Sequence, residues 1–259
     1  ERCDAEEQMH ALMIIGCACD WKGDRQQSAD VFEELLSFAK KEGSSHYMLR
    51  GYAGLFWNDC FNDIEQAVSH LSAIQSMKLS EKDKVTFELC TARILLSMGR
   101  LSEAMERYDK CFQNYDFSQY EDYYSMKKNK MLLLEILPAC FDNERYLDGV
   151  RFGLKIWGRI RNHGWLEECY CSAWIALNYL MLGDVEAAEQ FLYHAQACNN
   201  TMTDTKSQWM EMQLTSVEAF LHFEKEEYEE ALETKRKVLA HARECNDAWI
   251  QGDTCFEIL

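Results

Sequence analysis

Apolar residues in this chain recur three and four positions apart, within stretches of eleven to fourteen residues separated by polar breaks. "HALMIIGCACDWK", "YMLRGYAGLFW", "VTFELCTARILLSM", "MKKNKMLLLEIL", "CYCSAWIALNYLML" and "MQLTSVEAFLHF" all follow this rhythm. A three-to-four period places apolar side chains on one stripe of an α-helix, whereas a half-buried strand would alternate every second residue. No stretch alternates in that way, so the pattern predicts helices throughout and no sheet.

A second, shorter pattern follows each stretch. "GDRQQSADVFEEL" starts at Gly23, "NDIEQAVSHLSAI" at Asn62 and "GRLSEAMERYDKC" at Gly99. "ERYLDGVRFGLKI" starts at Glu144, "GDVEAAEQFLYHA" at Gly183 and "EEYEEALETKRKV" at Glu226. These starts are 39, 37, 45, 39 and 43 residues apart. Five residues after each start stands a small side chain: Ser28, Ala67, Ala104, Gly149, Ala188 and Ala231. Glycine can end a helix in the left-handed conformation, and an aspartate behind it can cap the next helix by accepting free amide hydrogens. Asp24 with Gln27, and Asp63 with Gln66, have the spacing of a reciprocal capping box. The small residue lets the second helix approach the first. Each unit therefore reads as a helical hairpin, and no hairpin buries its apolar face alone, so neighbours must stack.

The segmentation is six hairpins, at about 9–43, 46–79, 82–116, 120–162, 167–200 and 206–245, plus a partial repeat at 247–259. They form one solenoid over 1–259. The widest spacing contains the chain's one proline, Pro138, whose ring would crowd the carbonyl of Leu134. A helix end or kink is expected near Leu137, as a flexing point between the first three repeats and the rest. The first residues carry no initiator Met, and the last resemble the opening of a helix, so the chain reads as a piece of a longer protein.

Composition narrows the partners. A net charge of −17 disfavours nucleic acid and anionic membrane surfaces, both of which call for clustered Lys and Arg. Neutral, apolar or basic partners remain. No apolar run reaches the roughly 20 residues needed to span a bilayer, and no signal peptide opens the chain. The twelve cysteines stand among apolar neighbours with no C-x-x-C pair, which reads as packing thiols of a cytoplasmic protein rather than metal ligands.

Together the turn glycines, small residues and paired helices resemble the tetratricopeptide repeat family, most clearly at Gly16, Gly23 and Phe32, at Gly99, Ala104 and Tyr108, and at Gly183, Ala188 and Ala195. The repeats average about 41 residues against the family's ~34, and the proline between repeats is missing. Longer repeats of this kind are similar to those of bacterial signalling proteins: sugar-sensing transcription activators, peptide-pheromone receptors, and segments fused to diguanylate cyclases. The resemblance implies an all-α, right-handed superhelical solenoid whose concave groove is lined by positions 2, 5 and 9 of each first helix. Those positions are His10, Met13 and Cys17; Leu49, Tyr52 and Phe56; Thr86, Leu89 and Arg93; Met131, Leu134 and Pro138; Tyr170, Ala173 and Leu177; Gln213, Ser216 and Phe220. The candidate binding residues drawn from them are His10, Met13, Tyr52, Phe56, Arg93, Tyr170, Leu177 and Phe220. Chaperone-binding members hold a terminal carboxylate with Lys and Asn, and this chain has neither residue at those positions.

No phosphate-cradling loop, H-E-x-x-H or G-x-S-x-G motif occurs, so no catalytic residue, metal site or cofactor is assigned. Glu218 and His222, four apart, read as a helix-surface pair, and "EKEEYEEALE" as a solvated acidic face. The leading reading is a non-catalytic module binding a protein, peptide or small ligand, as the regulatory or sensory part of a larger cytoplasmic protein. The alternatives are a constitutive assembly scaffold and a peptide-pheromone receptor domain, with self-association open in each case.

Overall fold

The computed structural model describes residues 4–21, 24–60, 62–114, 123–161, 165–201 and 208–244. Among them lie thirteen helices and no strand. Helices α1 (Ala5–Trp21) and α2 (Arg25–Glu42) form the first hairpin, α3 (Ser45–Asp59) and α4 (Ile64–Gln75) the second, α5 (Glu81–Ser97) and α6 (Leu101–Asn114) the third. Next along the chain come α7 (Tyr123–Leu134), α8 (Ile136–Asp142) and α9 (Tyr146–Ile160). Then come α10 (Trp165–Met181) with α11 (Val185–Asn200), and α12 (Gln208–Glu224) with α13 (Tyr228–Glu244). The architecture is all-α, a tandem of antiparallel helical hairpins. Gly23, His163 and the partial repeat at 247–259 lie outside the described residues.

Most of the turns use one device. At Gly183 (φ 75°) the glycine N–H donates to the Leu180 carbonyl at 2.9 Å, and the Asp184 N–H donates to that of Tyr179 at 3.0 Å. Two carbonyls at the end of α10 are thereby satisfied. Asp184 then caps α11, its Oδ1 accepting the Ala187 N–H at 3.1 Å. Gly99 (φ 71°) closes α5 in the same way. Glu144 (φ 57°) and Glu226 (φ 63°) occupy the same left-handed position in the fourth and sixth hairpins, with the same two returning bonds. There a side chain stands where glycine would be unstrained. The expected capping boxes are only half formed. Asp24 and Asp63 accept the N–H groups of Gln27 and Gln66, but their own amides already donate to the carbonyls of Cys19 and Asp59. Nothing is left for the glutamine side chains to satisfy.

The small residue of each second helix is buried, and Ser28 serves two neighbours rather than one. Ser28 Oγ donates to the Gly16 carbonyl of α1 at 2.9 Å and accepts the Asn58 Nδ2–H of α3 at 3.2 Å. Gly149 of α9 lies so close to α10 that a Cβ there would fall 2.2 Å from Asn178 Oδ1. Phe32 is fully buried, and its ring is wedged between Gly16 and Gly54 on the flanking helices.

The break before Pro138 comes earlier than Leu137. α7 ends at Leu134, Glu135 forms a turn, and α8 starts at Ile136. Proline cannot donate to the Leu134 carbonyl and its ring would collide with it; restarting the helix puts Pro138 in a first turn, where no amide is required. The chain divides into two compact units at this point, Glu1–Ile136 and Leu137–Leu259. The first holds a core of Met9, Met13, Phe32, Leu35, Ala39 and Leu55, among others. The second is built around Cys169, Ala176, Leu192, Ala195, Met210 and Val217.

The cysteines pack as thiols. Nine are described, all free, and eight of them are buried. Burial pushes Cys111, Cys140 and Cys169 up to about 12. Asn199, which begins an N-x-T triplet, is itself buried at the end of α11. No described helix is long and apolar enough to cross a membrane.

Candidate functional site

The eight candidate binding residues separate by exposure. Met13, Phe56 and Leu177 are core residues, at 2 %, 0 % and 7 % exposure, and so are Cys17, Leu49, Leu89 and Ala173 at equivalent positions. At these positions the side chains pack into the core of the hairpins, so they are not available to a ligand. His10 is exposed, while Tyr52, Arg93, Tyr170 and Phe220 are partly buried.

In the first unit, Tyr52 on α3 offers one ring face to Lys40 of α2, whose Nζ lies 5.3 Å from the centroid. The His70 ring of α4 is tilted against it at 6.1 Å. His70 Nε2 is in turn 3.1 Å from Asp59 Oδ2. This cation–aromatic–imidazole group is partly open to solvent, and neither Lys40 nor His70 was drawn from the sequence, since both stand on second helices.

Arg93 on α5 is committed inside the unit. Its Nε is 3.3 Å from Glu135 Oε2, with side-chain exposures of 12 % and 19 %, and its Nη1 donates to Ser97 Oγ at 2.7 Å. Burial raises the Glu135 carboxyl above the ordinary carboxylate range, and Arg93 draws it back down. Tyr108, buried beside the pair, donates its hydroxyl to the Leu132 carbonyl at 2.8 Å. Arg93, drawn from the sequence as a candidate binding residue, is thus tied into the first unit, joining α5 to the turn that follows α7.

In the second unit, Tyr170 stands edge-on to Trp174 at 6.1 Å, and Trp174 meets Phe141 at 5.6 Å. Phe220 of α12 lies beneath Lys235 of α13, whose Nζ is 4.1 Å from the ring centroid and donates to Ser216 Oγ at 2.8 Å. Cations over aromatic faces hold the rings in place and leave the remaining edge for a ligand. Between α11, α12 and α13 lies a pocket of about 420 Å³, lined by Asn199, Glu211, Thr215, Glu218, Lys237 and His241 among others. Asn199 Oδ1 and His241 Nε2 are buried atoms with no hydrogen-bond partner among the described residues. Glu218 contributes to this wall, and His222 pairs instead with Glu227 at 2.6 Å.

One set of described side chains converges as metal ligands would: Glu168, His194 and Cys198, with donor atoms all within 4.8 Å of one another. No short cysteine motif marks it, because the residues come from two helices, α10 and α11.

No family model matches the chain, and no curated protein matches it. Solved structures do. The crystal structure of the apo form of RapI superposes with a TM-score of 0.70 at 11 % identity, covering 97 % of this chain and 70 % of that one. The crystal structure of a Rap protein complexed with competence and sporulation factor gives 0.69 at 12 % identity, covering 98 % and 70 %. At such identities the likeness establishes the fold: a helical-hairpin repeat of the tetratricopeptide kind.

Proposed function

We propose that this chain is a non-catalytic binding module that holds a peptide or protein segment against its helical hairpins, as the sensory part of a cytoplasmic regulatory protein. The observation that carries the reading is the set of part-open aromatics at first-helix positions, each fixed by a packed neighbour: Tyr52 under Lys40, Tyr170 beside Trp174, and Phe220 under Lys235. Fixed rings supply large contact area at little entropic cost. The shared fold with a Rap protein solved in complex with competence and sporulation factor supports the same class of work. The unsatisfied atoms of Asn199 and His241 in the second unit's pocket would take a donor or acceptor from a bound segment. A net charge of −17 favours neutral or basic segments over acidic ones.

The test is selection of a random peptide library on the purified chain, followed by calorimetry of the enriched sequences. Tyr52→Ala, Tyr170→Ala and Phe220→Ala are compared with Tyr193→Ala, a change at a widely exposed ring. Enriched apolar or basic peptides that lose tenfold or more in affinity with at least one of the first three, and nothing with the fourth, support the reading. No enrichment, or affinities indifferent to all three, would overturn it.

A further inference from the structure

The hairpin of α10 and α11 brings three different metal-ligand chemistries to one point. His194 Nε2 lies 3.0 Å from Glu168 Oε1 and 3.5 Å from Cys198 Sγ. Two of the three, His194 and Cys198, stand one helical turn apart on α11, a spacing that aims both side chains the same way. Glu168 comes from the first turn of α10 and is buried, while the His194 side chain is 37 % exposed, so the cluster is anchored on one side and reachable from the other. A second thiol stands nearby: Cys169 is held in the core, its Sγ donating to the Ala195 carbonyl at 3.3 Å, and Cys198 acts on it electrostatically.

We propose that Glu168, His194 and Cys198 form a binding site for a divalent transition-metal ion of the zinc class, with the fourth position open on the His194 side. The distances fit. Bonds of about 2.1 Å to N and O and about 2.3 Å to S, at tetrahedral angles, separate N from S by about 3.6 Å and N from O by about 3.4 Å. The His194–Cys198 separation is within about 0.1 Å of the first value, and the His194–Glu168 separation has to open by about 0.4 Å. A mixed nitrogen, thiolate and carboxylate set suits zinc rather than magnesium or calcium, which take oxygen ligands. On binding, the Cys198 thiol proton leaves to solvent and the imidazole proton sits on Nδ1, freeing the Nε2 lone pair for the ion.

The same three residue types could make a nucleophilic triad, and the geometry rejects it. In a triad the base uses one ring nitrogen for the nucleophile and the other for the carboxylate. Here both Glu168 and Cys198 meet Nε2, so the groups converge on a point rather than form a relay.

The experiment uses the whole chain, stripped with chelator and titrated with zinc chloride by calorimetry and with cobalt chloride by absorbance. We expect one ion per chain with submicromolar zinc affinity, and a melting temperature raised by about 5–10 °C at a hundredfold excess over Kd. Cobalt should give a thiolate-to-metal charge-transfer band. His194→Ala and Cys198→Ser should each weaken zinc binding tenfold or more, and Cys198→Ser should also remove the band. His222→Ala, which breaks a histidine–glutamate pair lacking a thiol, should leave both unchanged. On the unaltered chain, zinc should protect Cys198 from alkylation. Zinc binding weaker than about 100 µM, affinity indifferent to both ligand variants, or alkylation of Cys198 unaffected by zinc would each overturn the proposal.

Discussion

Replacing Arg93 by alanine tests whether its first role is structural. The variant leaves Glu135 largely enclosed without its cation. Breaking a buried ion pair from one side costs about 3–5 kcal/mol, and exposed pairs are worth about 0–1 kcal/mol. With side-chain exposures of 12 % and 19 %, this pair lies between those limits but nearer the buried one, and a loss of about 1–3 kcal/mol is expected. Thermal melts would register this as a drop of about 3–10 °C. The pH dependence identifies the cause. Burial already raises Glu135 above its ordinary value of 4.5, and Arg93 restrains that rise. A carboxyl raised on folding supports the folded state below its unfolded pKa and withdraws that support as pH rises through the folded value. Removing Arg93 lifts the folded value further. The deficit of Arg93→Ala should therefore be largest at neutral pH and shrink as pH falls toward 4.5, and adding Glu135→Gln should restore most of it. A deficit that is constant with pH, or one that Glu135→Gln leaves unchanged, refutes the reasoning. Unchanged melting with weakened binding of selected peptides would return Arg93 to the binding surface.

Two further outcomes follow from the backbone. Gly54→Ala should destabilise by about 1–2 kcal/mol, since its new Cβ would fall 2.5 Å from the buried Phe32 ring and overpacking outweighs the gain of about 1 kcal/mol in helix propensity; an unchanged or higher urea midpoint would contradict this. Glu226→Gly should stabilise by about 0.5–1 kcal/mol by relieving a left-handed side chain, whereas Gly183→Ala should cost about 1 kcal/mol, both read from denaturant midpoints; the same sign for the two would refute the shared-turn account.

The hairpins were legible because each rests on local chemistry. Three- and four-residue apolar spacing marks the helices, and Asp184 behind Gly183 marks a turn whose bonds all close within a few residues. Glu144 and Glu226, aligned with Gly99 and Gly183 as repeat starts, turn out to share their left-handed backbone, which no residue preference would have suggested. The binding positions were less legible. Periodicity says that Phe56 and Tyr52 lie on one helix face, but the core takes Phe56 and leaves Tyr52 part open, a difference set by how α4 and α2 lie against α3.

The missed ligand set shows what kind of reading would have found it. In an antiparallel hairpin, residues equally distant from the turn stand side by side. Measured from Asp184, Glu168 is 16 residues back, while His194 and Cys198 are 10 and 14 residues on. At about 1.5 Å per residue, Cys198 and Glu168 are offset by only about 3 Å along the pair, within reach of a glutamate side chain. Folding the sequence about each turn glycine thus brings together donors that no short motif connects. The same procedure fails for Arg93 and Glu135. They belong to successive repeats, and their register depends on the connection between α6 and α7 and on where the helix before Pro138 breaks. Contacts within a hairpin follow from the position of one turn; contacts between hairpins require the packing of the repeats as well.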